Sequence, residues 1–247
     1  MSPDALLSLF RDTCEAIAMA VGEVHGEARR ARTDRPGQYA IDLVADAAAR
    51  EVLHDAPVMV VSEESGVTGA AGAEITVVLD PVDGSSNAVR YLPYWATSLC
   101  ALDRDGMLAG VVVNQATGTV FAATRGGGAF RDGEPMRASA VTRVEEAFVA
   151  ISTFPGRMLA WKQFRALGSC ALALCETASG VFDGYLDGGS VHAPWDYLGA
   201  ALICAEAGAT VVDAADRPIV TADPSARRHL VAAGTEPLLD ALRTAAG

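Results

Sequence analysis

Six short apolar segments in the middle of the chain limit the folds available to it most strongly. They are four to seven residues long, and stretches containing Gly, Asp or Asn separate them. This length and spacing are typical of β-strands and fall far short of the roughly 20 residues that a membrane-spanning helix needs. The sequence therefore predicts a sheet of several strands, at residues 58–61, 75–79, 96–102, 108–113, 120–123 and 147–151.

Helical patterns flank these strands. Asp4 is expected to cap a first helix whose apolar residues recur at helical spacing as far as Val21, and an alanine-rich helix is expected at 42–53. Beyond residue 168 helices and short strands alternate, so the chain belongs to the α/β class. The remaining helices are predicted at 169–179, 194–206 and 237–245, and the remaining strands at 181–186, 209–212 and 229–232.

Composition narrows the functional classes. The 247 residues are 51% hydrophobic, enough for one compact domain. A net charge of −12 opposes binding to nucleic acid or anionic membranes, and the run Arg29-Arg30-Ala31-Arg32 is expected to be a solvated loop face. The five cysteines form no CxxC pair, and the first 25 residues lack a signal-peptide pattern, so we expect a reduced, cytoplasmic protein.

Two carboxylates follow the second predicted strand in the motif Asp80-Pro81-Val82-Asp83-Gly84-Ser85. Held on one loop they repel each other unless a cation neutralises them, and oxygen ligands favour magnesium, manganese or calcium. Backbone amides from Gly84 onward can hold phosphate oxygens where a turn meets a helix. The alternative is that both Asp residues serve the turn and Ser85 caps the helix.

Two more acids stand at the ends of predicted elements. Glu63 follows the strand 58–61, and Asp196 opens the helix at 194–206. Considered alone, Asp196 is explained as an acidic residue in the first turn of a helix, where the helix dipole stabilises a negative charge. Glu63 and Asp196, together with Asp80 and Asp83, give four carboxylates, which are enough to bind two metal ions.

The order and spacing of these motifs resemble the inositol monophosphatase family. The resemblance rests on Ser-Glu-Glu-Ser at 62–65, Asp-Pro-Val-Asp-Gly-Ser-Ser-Asn at 80–87, and Trp-Asp at 195–196 before Glu206-Ala207-Gly208. It implies a layered αβαβα sandwich of the inositol monophosphatase and fructose-1,6-bisphosphatase type, usually a homodimer. It also implies one phosphatase domain over residues 1–247, with a metal-binding part at about 1–140 and a C-terminal α/β part at about 141–247.

The resemblance assigns roles to single residues. Glu63, Asp80 and the Val82 carbonyl match ligands of a first Mg²⁺, and Asp80, Asp83 and Asp196 match ligands of a second; a third ion, or Mn²⁺, is possible. Ser85 with Asp46 matches the pair that activates the attacking water, and Glu63 is also assigned to catalysis. The expected substrate and phosphate contacts are Asp83, Gly84, Ser85, Gly168, Ser169, Cys170, Asp187 and Asp196.

The segment before Asp46 is two residues shorter than the family pattern and lacks its Thr, so the binding of a third metal stays open. Asp187 is nearly as well explained as a turn residue. His192 could line the pocket or act on a leaving group, but a lone His in a Gly-rich loop is more often merely exposed. The implied reaction is hydrolysis of a small phosphate monoester by direct attack of a metal-bound water.

The expected substrate is a polyol, sugar or amino-alcohol phosphate. Histidinol phosphate, fructose bisphosphate, 3'-phosphoadenosine 5'-phosphate and a specialised metabolite remain alternatives. A catalytically weak protein that binds metal and phosphate is the non-enzyme alternative.

Overall fold

Two β-sheets form the framework of the protein. The computed structural model describes residues 1–189 and 192–246. The first eight strands are β1 (Met59–Ser62), β2 (Gly66–Gly69), β3 (Thr76–Asp83), β4 (Ala96–Asp103), β5 (Gly106–Asn114), β6 (Val120–Thr124), β7 (Gly128–Arg131) and β8 (Glu134–Pro135). They form a large sheet in the order β2-β1-β3-β4-β5-β6-β7-β8. The other five are β9 (Phe148–Ile151), β10 (Gln163–Arg165), β11 (Gly184–Leu186), β12 (Thr210–Asp213) and β13 (Leu230–Ala233), in the order β10-β9-β11-β13-β12.

Helices occupy both outer layers and the space between the sheets. They are α1 (Pro3–Gly22), α2 (Gly26–Arg30), α3 (Ala40–Leu53), α4 (Ser85–Ala88), α5 (Cys170–Ala178), α6 (Pro194–Ala207) and α7 (Glu236–Ala246). Helices α1 and α3 pack on one face of the large sheet, α5 and α6 lie between the two sheets, and α7 packs on the small sheet. The predicted layered αβαβα sandwich is confirmed.

Helix α6 approaches the large sheet unusually closely. A Cβ atom added to Gly199 would lie 2.8 Å from the Leu99 carbonyl oxygen, and one added to Gly110 would lie 2.8 Å from the Gly199 carbonyl oxygen. Both distances are well inside van der Waals contact, so only glycine fits at these two positions. Gly199 lies one helical turn after Asp196 on α6. Its contact with the sheet therefore fixes the distance between α6 and the sheet close to Asp196.

Several predicted details were wrong. The cap of α1 is Ser2, whose Oγ accepts from the Ala5 amide at 3.2 Å, because Asp4 already lies in the first helical turn. The strand containing Asp80 does not stop at residue 79 but continues to Asp83 through an irregularity between those two acids. Pro81 has no amide hydrogen to donate to a regular ladder, and an irregular register accommodates it.

The basic run is not uniformly solvated. Arg29 is only 6% exposed, and its guanidinium donates to the carbonyls of Ala88 (3.0 Å), Val21 (2.9 Å) and Val24 (3.2 Å). These hydrogen bonds connect the C-terminal end of α4 to the last turn of α1 and to the residues that follow it. The guanidinium also lies 4.8 Å from the ring centroid of Tyr91.

All five cysteines are free and buried. None of the helices within residues 1–189 and 192–246 is both long enough and apolar enough to cross a membrane.

Candidate active site

Three carboxylates converge where β1 and β3 end beside α6. The two strands pair in parallel with Ser62 opposite Leu79, and the Glu63 amide donates to the Leu79 carbonyl at 3.2 Å. Glu63 therefore emerges next to Asp80. One carboxylate oxygen each of Glu63, Asp80 and Asp196 lies within 4.8 Å of the other two. The structure thus brings together three acids that are distant in sequence.

The electrostatics of this group are unfavourable without a cation. Burial, followed by the charge of Asp196, raises the pKa of Glu63 to about 8. Burial and the neighbouring Glu63 also raise the pKa of Asp80 well above its ordinary value. Three oxygen donors in such a group suit a hard divalent ion, which would relieve the repulsion. The residues present therefore fit the predicted magnesium site.

Asp83 belongs to the same strand but faces a different partner. Its carboxylate accepts from the Ser169 hydroxyl and from the amides of Cys170 (3.3 Å) and Ala171 (2.7 Å), at the start of α5. Burial raises its pKa to about 6, although the bond from Ser169 opposes that shift. Asp83 thus joins β3 to α5, and it lies outside the group formed by the other three acids.

The turn after Asp83 is sterically demanding. Gly84 has a φ of +91°, and a Cβ there would lie 2.9 Å from the Gly168 carbonyl oxygen. Asn87 reinforces this contact, because its side-chain amide donates to the carbonyls of Tyr94 and Leu167, both at 2.7 Å. The Ser85 hydroxyl donates to the Val82 carbonyl at 2.9 Å. Gly84, Ser85, Gly168 and Ser169 consequently lie in two loops that contact each other.

The acid beside Ser85 is Asp42 rather than the expected Asp46. Burial raises the pKa of Asp42 to about 6, although the Tyr39 amide, which donates to its Oδ2 at 2.8 Å, and the nearby Ser85 hydroxyl oppose that shift. The Asp42 Oδ1 atom is buried and has no hydrogen-bond partner among the described residues. Asp46 lies one turn further along α3, where its Oδ1 accepts from Ser62 (2.5 Å) and Ser65 (3.1 Å). Among the described residues no hydrogen bond joins Asp46 to Ser85.

A cavity of about 220 Å³ opens beside Asp83 and Asp196. Cys170 and His192 line it, together with Ser152, Leu167, Gly168, Ser169, Tyr185 and three apolar residues of β9 and α5, Ala150, Ile151 and Ala173.

His192, expected to be exposed, is instead largely enclosed, with its Nδ1 3.3 Å from Asp196 and its Nε2 2.9 Å from the Tyr185 hydroxyl. Burial lowers the pKa of His192, but Cys170 and Asp196 outweigh it and raise the net value.

Asp187, a predicted substrate contact, is fully buried and is not among the residues that line this cavity. Its Oδ1 accepts from the Ser152 hydroxyl at 2.8 Å and from the Gly189 amide at 3.2 Å. The neighbouring Ser190 and Val191 lie outside the described residues.

The loop before α3 also reaches the site. Arg35 donates to the Glu63 carbonyl (3.1 Å) and to Glu64 (3.2 Å), and Gln38 donates to the same Glu64 carboxylate.

Sequence reasoning missed Arg35, Asp42 and Tyr185 as site residues. Asp42 alone had a usable signal, as the acid that begins the helix predicted at 42–53.

Comparison with known proteins identifies the family. The model of the inositol monophosphatase family matches residues 13–246. This chain belongs to the inositol monophosphatase family. It is 38% identical over 180 residues to fructose-1,6-bisphosphatase/inositol-1-monophosphatase of Archaeoglobus fulgidus, covering 70% of this chain and 69% of that protein. It is 33% identical over 243 residues to the protein of the same name from Methanothermobacter thermautotrophicus, covering 89% and 87%.

A solved structure supports the same fold. The crystal structure of extragenic suppressor protein suhB from Bartonella henselae superposes with a TM-score of 0.83 at 23% identity, covering 98% of each chain. Membership of the inositol monophosphatase family makes this protein a phosphoric monoester hydrolase.

Proposed function

We propose that this protein hydrolyses small-molecule phosphate monoesters and depends on Mg²⁺ held by Glu63, Asp80 and Asp196. The observation that carries the proposal is the convergence of these three carboxylates, one oxygen of each lying within 4.8 Å of the other two. The ions would supply the positive charge that binds the phosphoryl oxygens and favours deprotonation of the attacking water. The Val82 carbonyl and Asp83 are proposed as further ligands.

The protein's own groups would then position the phosphate. The amides of Gly84 and Ser85 stand at the start of α4, where helical geometry leaves them without intrahelical acceptors. They can donate to two phosphate oxygens. Gly168 and Ser169 pack against this turn and fix its position, so the phosphorus atom would be held between the turn and the acids.

Proton transfer falls to Ser85 and Asp42. The water that attacks phosphorus must lose a proton as its new P–O bond forms and the bond to the leaving alcohol breaks. The Ser85 hydroxyl would take up that proton as it turns its own proton from the Val82 carbonyl to the Asp42 carboxylate, whose Oδ1 has no hydrogen-bond partner among the described residues and whose pKa is about 6. We therefore assign the water-activating role to Asp42 in place of Asp46.

The substrate is proposed to be a phosphate of a polyol, sugar or amino alcohol, acted on by a single domain that works in the cytoplasm as a homodimer. The core between the sheets supports a single domain, because it includes Val61 and Val78 from the first part and Leu172 and Leu230 from the second.

The test is release of inorganic phosphate from a panel of phosphate monoesters with Mg²⁺, with Mn²⁺ and with a chelator. We expect release from at least one ester, loss with the chelator, and loss in Glu63→Gln. Release from no ester with either ion would refute the proposal, as would full activity in the chelated enzyme.

A further inference from the structure

A second cavity, of about 340 Å³, lies between the C-terminal part of α1 and the segment that follows α4. It shares no lining residue with the cavity beside Asp83 and Asp196. None of the described residues that line it is acidic, although the protein carries a net charge of −12. The one charged side chain in its lining is the Arg29 guanidinium, so this cavity differs in charge from the rest of the molecule.

The guanidinium of Arg29 is buried without a countercharge. The residue is 6% exposed, and its Nε and Nη1 atoms donate to three backbone carbonyls. Its Nη2 atom has no acceptor among the described residues, and no described carboxylate forms an ion pair with it. Backbone carbonyls satisfy part of its hydrogen-bonding capacity, but they carry no formal charge to offset that of a cation removed from water. A bound anion would supply that charge.

Two neighbouring side chains add unused donors to the same cavity. Trp95 lines it and is only 6% exposed, yet no described residue accepts a hydrogen bond from its indole N–H. Buried indole N–H groups usually have an acceptor, and the group can only donate. The Tyr91 hydroxyl likewise has no described partner, and the Tyr91 ring centroid lies 4.8 Å from the Arg29 guanidinium. Three donor side chains therefore line one cavity that contains no carboxylate.

We propose that this cavity is a binding site for a small organic anion, a carboxylate or phosphate carried on a compact apolar body. Arg29 would pair with the oxyanion, with Trp95 and Tyr91 donating further hydrogen bonds to it. Apolar lining side chains, including Val21 and Leu92, would surround the body of the ligand. Ligand pockets usually measure about 300–1,000 Å³, so a cavity of 340 Å³ suits a small molecule.

The test measures binding to the full chain by titration calorimetry in the presence of a chelator, with benzoate and inorganic phosphate as separate probes. Without cations the acids beside the other cavity repel anions, so binding there is suppressed. Ala18→Glu adds a carboxylate at an exposed residue of α1 that lines the proposed site. Ala18→Gln is the matched uncharged control. Met19→Glu adds the same charge at a neighbouring residue that is 68% exposed and does not line this cavity.

We expect the wild-type protein to bind at least one probe saturably. Ala18→Glu should weaken that binding by roughly tenfold or more, because its carboxylate competes for Arg29. Ala18→Gln and Met19→Glu should bind within about threefold of the wild type, since a solvated charge away from the site is screened. Trp95→Phe should weaken binding by roughly fivefold, the effect of one lost hydrogen bond, and thermal melting checks that each variant is folded.

Absence of saturable binding of both probes to the wild type would overturn the inference, as would unchanged binding in folded Ala18→Glu. Binding of benzoate alone would support a carboxylate ligand, and binding of phosphate alone would support a phosphate ester. The measurement requires no turnover, so its outcome is independent of whether the protein hydrolyses phosphate monoesters.

Discussion

The contact between Gly199 and the large sheet predicts a link between packing and metal binding. In Gly199→Ala the new Cβ would begin 2.8 Å from the Leu99 carbonyl oxygen and 2.9 Å from Ser98 Oγ. Ordinary contact begins at 3.4 Å, so α6 must rise by about 0.6 Å. Overpacking of this kind costs about 1–3 kcal/mol, and the better helix propensity of alanine returns up to about 1 kcal/mol. The net loss should be roughly 1–2 kcal/mol.

The same displacement should reach Asp196, which lies one turn earlier on α6. Ligand distances in metal sites are typically held to about 0.2 Å, so a shift of several tenths of an ångström should weaken Mg²⁺ binding, by roughly tenfold. The melting temperature of Gly199→Ala should be lower than that of the wild type by about 2–8 °C in a chain of this size. The Mg²⁺ concentration that gives half-maximal activity should rise.

Gly22→Ala is the matched control, because Gly22 ends a helix and nothing lies within 4 Å of its added Cβ. That variant should melt at or slightly above the wild-type temperature and keep the wild-type response to Mg²⁺. If Gly199→Ala also keeps both properties, the steric reasoning is wrong. If it melts lower yet responds normally to Mg²⁺, the proposed transmission to Asp196 is wrong.

Three further outcomes are expected. Asp42→Asn should lower kcat by about a hundredfold or more, whereas Asp46→Asn should leave kcat within a few-fold and mainly lower the melting temperature; equal losses of kcat would contradict the assignment. Arg29→Met should cost roughly 2–4 kcal/mol in urea unfolding, because it removes three hydrogen bonds from a buried guanidinium to backbone carbonyls, and Arg29→Lys should recover part of that. Burial and repulsion raise the pKa of Glu63 to about 8, above its unfolded value of 4.5, so the metal-free protein should lose stability as pH rises between those values. Saturating Mg²⁺ should remove that loss, and a metal-free protein that gains stability over this range would refute the reasoning.

The strands and the carboxylates of the site were accessible from the sequence for a physical reason. Buried strands such as β3 and β4 appear in the sequence as short runs of mostly apolar residues. Acidic residues at the ends of such runs indicate where the site lies. Strands β2, β8 and β10 leave no such trace, since they are two to four residues long and mostly half-buried or exposed. Their pairing depends on neighbours distant in sequence, which local patterns do not report.

The proposed transfer of the water-activating role from Asp46 to Asp42 follows from the position of the two acids on one helix. The segment before Asp46 is two residues shorter than the family pattern, and both Asp42 and Asp46 lie within the continuous helix α3. A helix tolerates a two-residue deletion poorly, because each residue rotates the following side chains by about 100°. Loops absorb such changes, so we propose Asp42, at the beginning of the helix and beside Ser85, for this role.

The charge distribution around the site implies that cations, not arginines, attract the substrate. The protein carries a net charge of −12, and part of it is concentrated at the site, where Asp83 and Asp196 line the cavity and Asp196 lies beside Glu63 and Asp80. The nearest basic group of the loop, Arg35, is already engaged with Glu64 and the Glu63 carbonyl. A phosphate dianion approaching the metal-free site would therefore meet repulsion that no described arginine is positioned to cancel. Bound divalent ions would reverse the local field, so we expect the proposed metal binding to precede substrate binding.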